Sequence, residues 1–396
     1  MMETKGNPQL IRNLNEKLVL EVLIQHGSLS RADLSRITGL SKPTISSAVT
    51  NLLENELIRN VGRAENHQGR KATLVEFNEL RFYVIGIDIG ATHIRVALGN
   101  LYGELLFYDQ FNIIDLTPDE ILTLIYQRVE LLINSRHICW ESIKYISIGA
   151  PAVVTPDTGV VMLIVQTLKG FDTHLSLQVL SELFPCKVLL ENDVNLAALA
   201  EQQYGVAKKQ ENFIYFSIGA GVGAGLVMNG VLWRGLRGAA GELGEMLIGI
   251  DGGKKLEDFI STQGLLKIAR RYLREKKESS LLDTVKVLTP HFIFQNANKG
   301  DKVATQIVEE YCHLLSLALV SLSVIVAPDL IILGGDVGGS GDLLIEKLKS
   351  ILDSKLQVIP MLKKTEIGDE AVVLGAVHQA VLSTMDYIRN EILSDN

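Results

Sequence analysis

The sequence predicts an α/β protein in two unlike parts, a winged helix-turn-helix over residues 1–80 and a larger strand-and-helix body over residues 81–396. Three observations carry that prediction. Residues 1–80 set three capped helical patterns ahead of a basic hairpin. The remainder holds three glycine-rich turns at the ends of apolar strands. Between the second strand set and a helix stands "LLENDVNLAALAE" (189–201), where Glu191, Asn192 and Asp193 follow a buried-looking run.

In the first part, "LNEKLVLEVLIQHG" places Leu14, Leu18, Val22 and Leu23 on one helical face, with Gly27 as its stop. Ser30 and Asp33 have the spacing of a capping box, Leu34 and Ile37 supply the apolar face of a second helix, and Gly39 supplies the turn before Leu40. Ser41 caps the third helix, which tolerates Pro43 in its first turn and turns Ile45, Val49, Leu52 and Leu53 inward. Its outward face carries Ser41, Lys42, Thr44, Ser46 and Ser47, short polar side chains suited to phosphates and base edges in a major groove. Two strands, "LIRNVG" and "KATLVEF", flank a loop with Arg63, His67, Arg70 and Lys71, as a wing on the phosphate backbone would have. A small helical domain with merely solvated charges is the bland alternative.

Charge supports the division. The chain of 396 residues has a formal charge of −8, but residues 1–80 hold 10 basic against 9 acidic side chains and the rest 28 against 37. The acidity therefore belongs to the larger part and does not speak against DNA as a partner of the smaller one. Cys139, Cys186 and Cys312 are widely spaced, which favours a reducing compartment, and "MMETKGNPQL" lacks the apolar core of a signal peptide, so a cytoplasmic protein is expected. The apolar run from Leu314 stops at Pro328–Asp329, short of the roughly 18 residues of a spanning helix, and is read as a buried helix leading into "LIIL".

In the second part, "FYVIGIDIGATHIRVALGN" makes a strand, a tight turn and a strand, with Asp88, Gly90 and Thr92 at the tip, where backbone N–H groups can cradle a phosphate and the carboxylate can stand near a metal ion. "FIYFSIGAGVGAGLVMNG" repeats the device with Gly219, Gly221, Gly223 and Gly225. "DLIILGGDVGG" passes through Gly334 and Gly335 from a strand into a helix, which suits a nucleotide's base and ribose. At 191–193, a carboxylate and an amide at a strand end can grip sugar hydroxyls, and a helix-capping role for Asp193 stays open. Glu242 reads equally as a solvated loop acid and Glu257 as a first-turn helix acid.

Taken together, "GRKATLVEFN", "DIGAT", "GAPAVVTPDTGVV", "LENDVNLAALAE", "GAGVGAG", "GELGE" and "LGGDVGG" resemble the ROK family of sugar-responsive repressors, open reading frames and sugar kinases, over nearly the whole chain. The likeness is to its repressor members, such as those responsive to xylose or glucose, which place a winged helix ahead of a two-lobed, actin-like (RNase H-like) sugar-kinase fold. The resemblance implies one lobe over about 81–195 plus a C-terminal helix over about 371–393, and a second over about 196–370. It implies a cleft in which Asn192, Asp193, Glu242 and Glu257 contact sugar, with Asp193 at the place of the kinases' catalytic base. Asp88, Gly90, Thr92, Gly219, Gly221, Gly223, Gly334 and Gly335 are the positions that would hold ATP and Mg²⁺ if kinase chemistry persists.

The chain also departs from the family. Zinc-binding members follow "GELGH" with three cysteines, whereas this chain reads "GELGEMLIGIDGGKKLEDFIST", with Glu245 in place of the histidine and no cysteine, so no zinc is expected. Glu245 is retained as a candidate sugar contact, as is Gln166, or Thr167 beside it, in "VQTLKGF". Ala91 and His93 replace a glycine and a usually cationic residue of the kinase turn, and the methyl at 91 could crowd a phosphate. The expectation is a repressor without a required cofactor, binding a small sugar and a two-fold operator as a homodimer or homotetramer; the alternative is an ATP-dependent sugar kinase.

Overall fold

The computed structural model describes residues 8–63, 73–156, 158–164, 174–248, 253–275 and 279–393. Its N-terminal part has helices at Pro8–His26, Arg31–Thr38 and Lys42–Glu54, and a sheet in which Thr73–Phe77 lies between Leu29–Ser30 and Ile58–Arg63. The local chemistry follows the sequence. Ser30 Oγ accepts from the Asp33 N–H at 3.2 Å while the Asp33 carboxylate accepts from the Ser30 N–H at 3.4 Å, Gly39 ends the second helix at φ 73°, and Ser41 caps the third. Ile45, Ala48, Val49 and Leu52 are buried.

The buried face of the first helix differs from the periodicity reading. Val22 and Leu23 are inside with Val19 and Leu20, but Leu14 is 56% and Leu18 41% exposed. The helix carries apolar residues on two faces, and the one turned inward also bears Asn13 and Glu16, whose carboxylate accepts from Asn51 of the third helix. A polar anchor thus sets the rotation of this helix. Ile37 is likewise exposed at 43%, leaving Leu34 as the buried anchor of its helix.

Two five-stranded sheets follow, built alike. In the first, Tyr83–Ile89, His93–Gly99 and Leu105–Asn112 form an antiparallel meander, and Ile143–Ala150 and then Lys187–Asn192 add in parallel on the other side of Tyr83–Ile89. In the second, Phe213–Ile218, Val222–Met228 and Val231–Trp233 form the meander, and Leu330–Gly334 and Met361–Lys364 add in the same order. Each sheet has its own core.

Two helices join the sheets. Asp193–Gln203 leaves the first and lies against Val222–Met228, where Gly225 lets it approach: a Cβ there would stand 2.6 Å from that of Ala198. Ala371–Tyr387 leaves the second sheet and packs back on Tyr83–Ile89. The two cross backbone to backbone at Gly375, whose missing Cβ would lie 1.8 Å from the Leu196 carbonyl oxygen.

Helix Lys302–Ile325 begins well before Leu314, so the length limit drawn from sequence does not hold. It and the run Gly368–Ile392 are long and apolar enough to cross a membrane by length and composition. Here both are packing elements: Val303, Ile307, Tyr311, Leu315 and Leu319 lie in the second sheet's core, with the Leu330–Gly334 strand following as expected. The winged helix shares its core with the C-terminal helix. Val19, Leu23, Leu52, Val75 and Phe77 belong to one apolar cluster with Phe82, Val84, Val377, Val381, Met385 and Ile388. Arg389 closes the seam by donating to Glu21 at 2.7 Å.

Candidate functional site

The three polar residues at 191–193 have three different surroundings. Glu191 is 4% exposed and accepts from Arg234 Nε at 2.6 Å, from Asn195 Nδ2 at 2.9 Å and from the Asn192 N–H at 3.0 Å, so it is a structural tie from the first sheet to the loop after Val231–Trp233. Asn192 caps the helix, accepting from the Asn195 N–H at 3.0 Å and donating to the Ala152 carbonyl at 3.1 Å. Among the described residues, Asp193 accepts only from backbone, at 2.8 Å from the Val194 N–H. Burial pushes its carboxyl up to about 7, and the neighbouring Asp88 and Glu242 push in the same direction.

Glu242 follows Gly241 (φ 87°), which binds back to strand Val222–Met228 through its carbonyl. It is half-buried and raised by burial, then by Glu245 and Glu257. Glu257 opens a short helix, and its Oε2 accepts from the Val222 N–H at 3.1 Å, beside the second glycine turn. Glu245, whose charge acts on Glu242, is exposed and takes Lys255 Nζ at 2.8 Å. Gln166 and Thr167 lie outside the described residues.

The glycine turns converge on the same place. Asp88 is 4% exposed, and burial lifts its carboxyl to about 6 against the opposing pull of Arg95, whose Nη1 donates to it at 2.9 Å. Gly90 closes the hairpin by donating to the His93 carbonyl at 3.1 Å, and Thr92 is exposed with its hydroxyl 2.8 Å from His93 Nδ1. The Gly219 N–H donates to the Gly221 carbonyl at 2.9 Å, and Gly223 continues into the strand. Gly334 ends its strand and Gly335 (φ 73°) begins a four-residue helix next to it; a Cβ on Gly219 would stand 3.9 Å from the Asp336 nitrogen. Asp88, Asp193, Glu242 and Glu257 are therefore neighbours beside two of the turns, Asp193 acted on by Asp88 and Glu242, and Glu242 by Glu257.

Arg95, Arg234 and Gln379, which donates to Glu191 at 3.5 Å, were not singled out by the sequence. Arg95 was within reach of sequence reasoning, since a hairpin tipped at 90–92 sets residue 95 opposite residue 88, as the register shows. Arg234 had no such signal, because its partner is 43 residues away on another sheet.

On the third helix, Lys42 and Ser47 are exposed, Ser41 and Thr44 share a hydroxyl contact at 2.8 Å, and Ser46 accepts from Arg31 at 3.2 Å. Arg63 ends its strand; His67, Arg70 and Lys71 lie outside the described residues.

Fold and cleft define a class: a winged helix-turn-helix joined to a two-lobed body of the sugar-kinase type. The chain belongs to the ROK family, whose model matches residues 84–381, and a MarR family model matches residues 12–70. It is 26% identical over 396 residues to a xylose repressor of Caldicellulosiruptor bescii, covering 96% of this chain and 99% of that one. It is 31% identical over 315 residues to a glucokinase of Halalkalibacterium halodurans, covering 74% of this chain and 93% of that one. A crystal structure of a ROK family transcriptional regulator, a homologue of the E. coli MLC protein, shares the fold with a TM-score of 0.77 at 22% identity, covering 98% of this chain and all of that one.

Proposed function

We propose that the chain is a sugar-responsive transcriptional repressor whose winged helix holds operator DNA until a sugar occupies the cleft. The observation that carries this reading is the shared core. The apolar interior of the DNA-reading part includes Val377, Val381 and Met385 of the C-terminal helix, and that helix crosses the one beginning at Asp193. A change at the cleft and a change at the reading helix are thus linked by packed elements with no loose linker between them. In this reading Asn192, Asp193 and Glu242 receive hydroxyls, with Glu257 positioned beside them and the bound sugar fixed without zinc. One reading helix per chain calls for a dimer or higher oligomer on a two-fold site.

The test is a gel shift on the DNA upstream of the chain's own operon, run with a panel of aldoses, beside a thermal-shift screen of the same sugars. A sugar at 100 times its dissociation constant adds about 2.7 kcal/mol to stability and is expected to release the DNA. A sugar that stabilises the protein and leaves DNA binding unchanged would refute the coupling.

The kinase reading has one observation in its favour, an Asp193 carboxyl raised to about 7 where a general base would stand. A coupled nucleotide-turnover assay separates the two. Turnover of order 1–100 s⁻¹ is what a kinase gives, and none is expected.

A further inference from the structure

The chain passes from the winged helix to the body in residues 78–82, between the strands Thr73–Phe77 and Tyr83–Ile89, and this short junction is tied on both sides. The Asn78 N–H donates to the Leu57 carbonyl at 3.0 Å and its side-chain amide to the Glu56 carbonyl at 2.9 Å, while the Glu79 carbonyl accepts from the Leu101 N–H of the body at 3.0 Å. Arg81 reaches the third helix. That helix ends at Glu54 with Asn55 as its cap, where the last carbonyls form the negative end of the helix dipole. Arg81 Nε donates to the Asn55 carbonyl at 3.1 Å, and Nη1 stands 3.4 Å from the Glu56 carboxylate. The same guanidinium lies 4.6 Å over the ring of Phe82, which is buried.

Phe82 in turn meets Tyr387 of the C-terminal helix edge to face at 6.2 Å, and Lys144, from strand Ile143–Ala150, lies over both rings at 4.6 and 5.2 Å. Beyond Tyr387 that helix widens into a π turn at Ile388–Ile392, with the Leu393 N–H donating to the Ile388 carbonyl at 3.0 Å. Such turns are rare, and the extra residue they insert re-aims the side chains around it. Here they point two ways. Arg389 donates to Glu21 of the first helix from Nε at 3.0 Å and from Nη2 at 2.7 Å, and to Asp386 at 3.3 Å, whereas Glu391 accepts from Lys187 of the body at 3.1 Å. The side chains of Arg389 and Glu21 are 34% and 42% exposed, so their pairing adds little to global stability, and the two donors on one carboxylate serve orientation.

Arg81 thus holds the end of the third helix and Arg389 the first helix, which fixes the winged helix to the body at two points. We propose that Arg81 and Arg389 are positioning residues for DNA binding: together they set the angle of the reading helix on the body, so that two copies present their reading helices to a two-fold operator at one spacing. This rests on the repressor reading. The test compares the full chain with Arg389→Glu, Arg81→Met and the exchange pair Glu21→Arg with Arg389→Glu, by fluorescence-anisotropy titration and urea melts. Two probes are used, a duplex from upstream of the chain's own operon and a scrambled duplex of equal length. Both single variants are expected to fold and to bind the upstream duplex about 5- to 150-fold more weakly, the span of a coupling between two sites. Their affinity for the scrambled duplex is expected to stay unchanged, because phosphate contacts carry no demand for a set angle. The exchange pair is expected to regain most of the lost affinity. If a single variant does not fold, Arg389→Gln or Arg81→Gln takes its place. Single variants that bind the upstream duplex like the unaltered chain, single variants that lose both duplexes alike, or an exchange pair as weak as Arg389→Glu would each overturn the proposal. An unaltered chain that does not distinguish the two duplexes would overturn the repressor reading and this inference with it.

Discussion

Asp193→Asn should have opposite effects on the empty and the liganded protein. The carboxyl rises from 3.8 to about 7 on folding, so the native state binds a proton more tightly than the unfolded chain. Stability contributed by the protonated form is present below about pH 4 and is lost as pH climbs through 7. Three units at 1.36 kcal/mol each set an upper limit of about 4 kcal/mol. Residual water access at Asp193 and its coupling to Asp88, itself raised to about 6, reduce this to roughly 1–3 kcal/mol. The amide keeps the acceptor for the Val194 N–H and never carries the charge. Urea melts without sugar should therefore show the variant more stable than the unaltered chain at pH 8, by clearly less at pH 5, with the difference closing below about pH 4. Sugar binding should weaken by about 1.5–3 kcal/mol, the worth of a charge-assisted hydrogen bond, and repression should persist in sugar. A variant destabilised equally at both pH values, with normal sugar affinity, would reduce Asp193 to a helix-start residue and refute this reasoning.

Other perturbations probe the frame around the cleft. Arg234→Met leaves the Glu191 carboxylate buried and unpaired and should cost about 2–3 kcal/mol in a denaturant melt, most of it recovered when Glu191→Gln is added; an equally unstable double variant would contradict the pairing. Gly375→Ala drives a methyl into the Leu196 carbonyl and should cost about 3 kcal/mol or more, so unchanged stability would show that the helices part easily. Dialysis against a chelator should leave both melting temperature and sugar response unchanged, and stoichiometric zinc whose removal unfolds the protein would refute the zinc-free reading.

Local signals in the sequence translated directly into structure where the chemistry was local. Ser30 with Asp33, Gly39, Ser41 and the strand–turn–strand at 83–99 all depend on partners a few residues away, so spacing alone specifies them. The first helix failed for a different reason. Its apolar residues satisfy two faces equally, and the choice was made by Glu16 reaching Asn51 across 35 residues, a tertiary contact invisible to periodicity. The duplicated strand order of the two sheets was equally hidden, because matching topology needs no matching residues.

The cleft shows where pattern reading stops. Glu191, Asn192 and Asp193 are adjacent in sequence and alike in polarity, yet a half-buried arginine partner assigns the first to structure, a cap and a carbonyl divide the second, and among the described residues only backbone donates to the third, as the proposed ligand role requires. The same rule separates Asp88 from Asp193. Asp88 is buried and Asp193 partly so, and a cross-strand arginine satisfies the first while among the described residues only backbone donates to the second. The helix that begins at Asp193 then bears on the C-terminal helix through contact of bare backbone at Gly375, with no side chain between them to absorb a shift. Since that C-terminal helix is part of the winged helix's own core, Asp193 and the helix-turn-helix lie at two ends of one packed assembly.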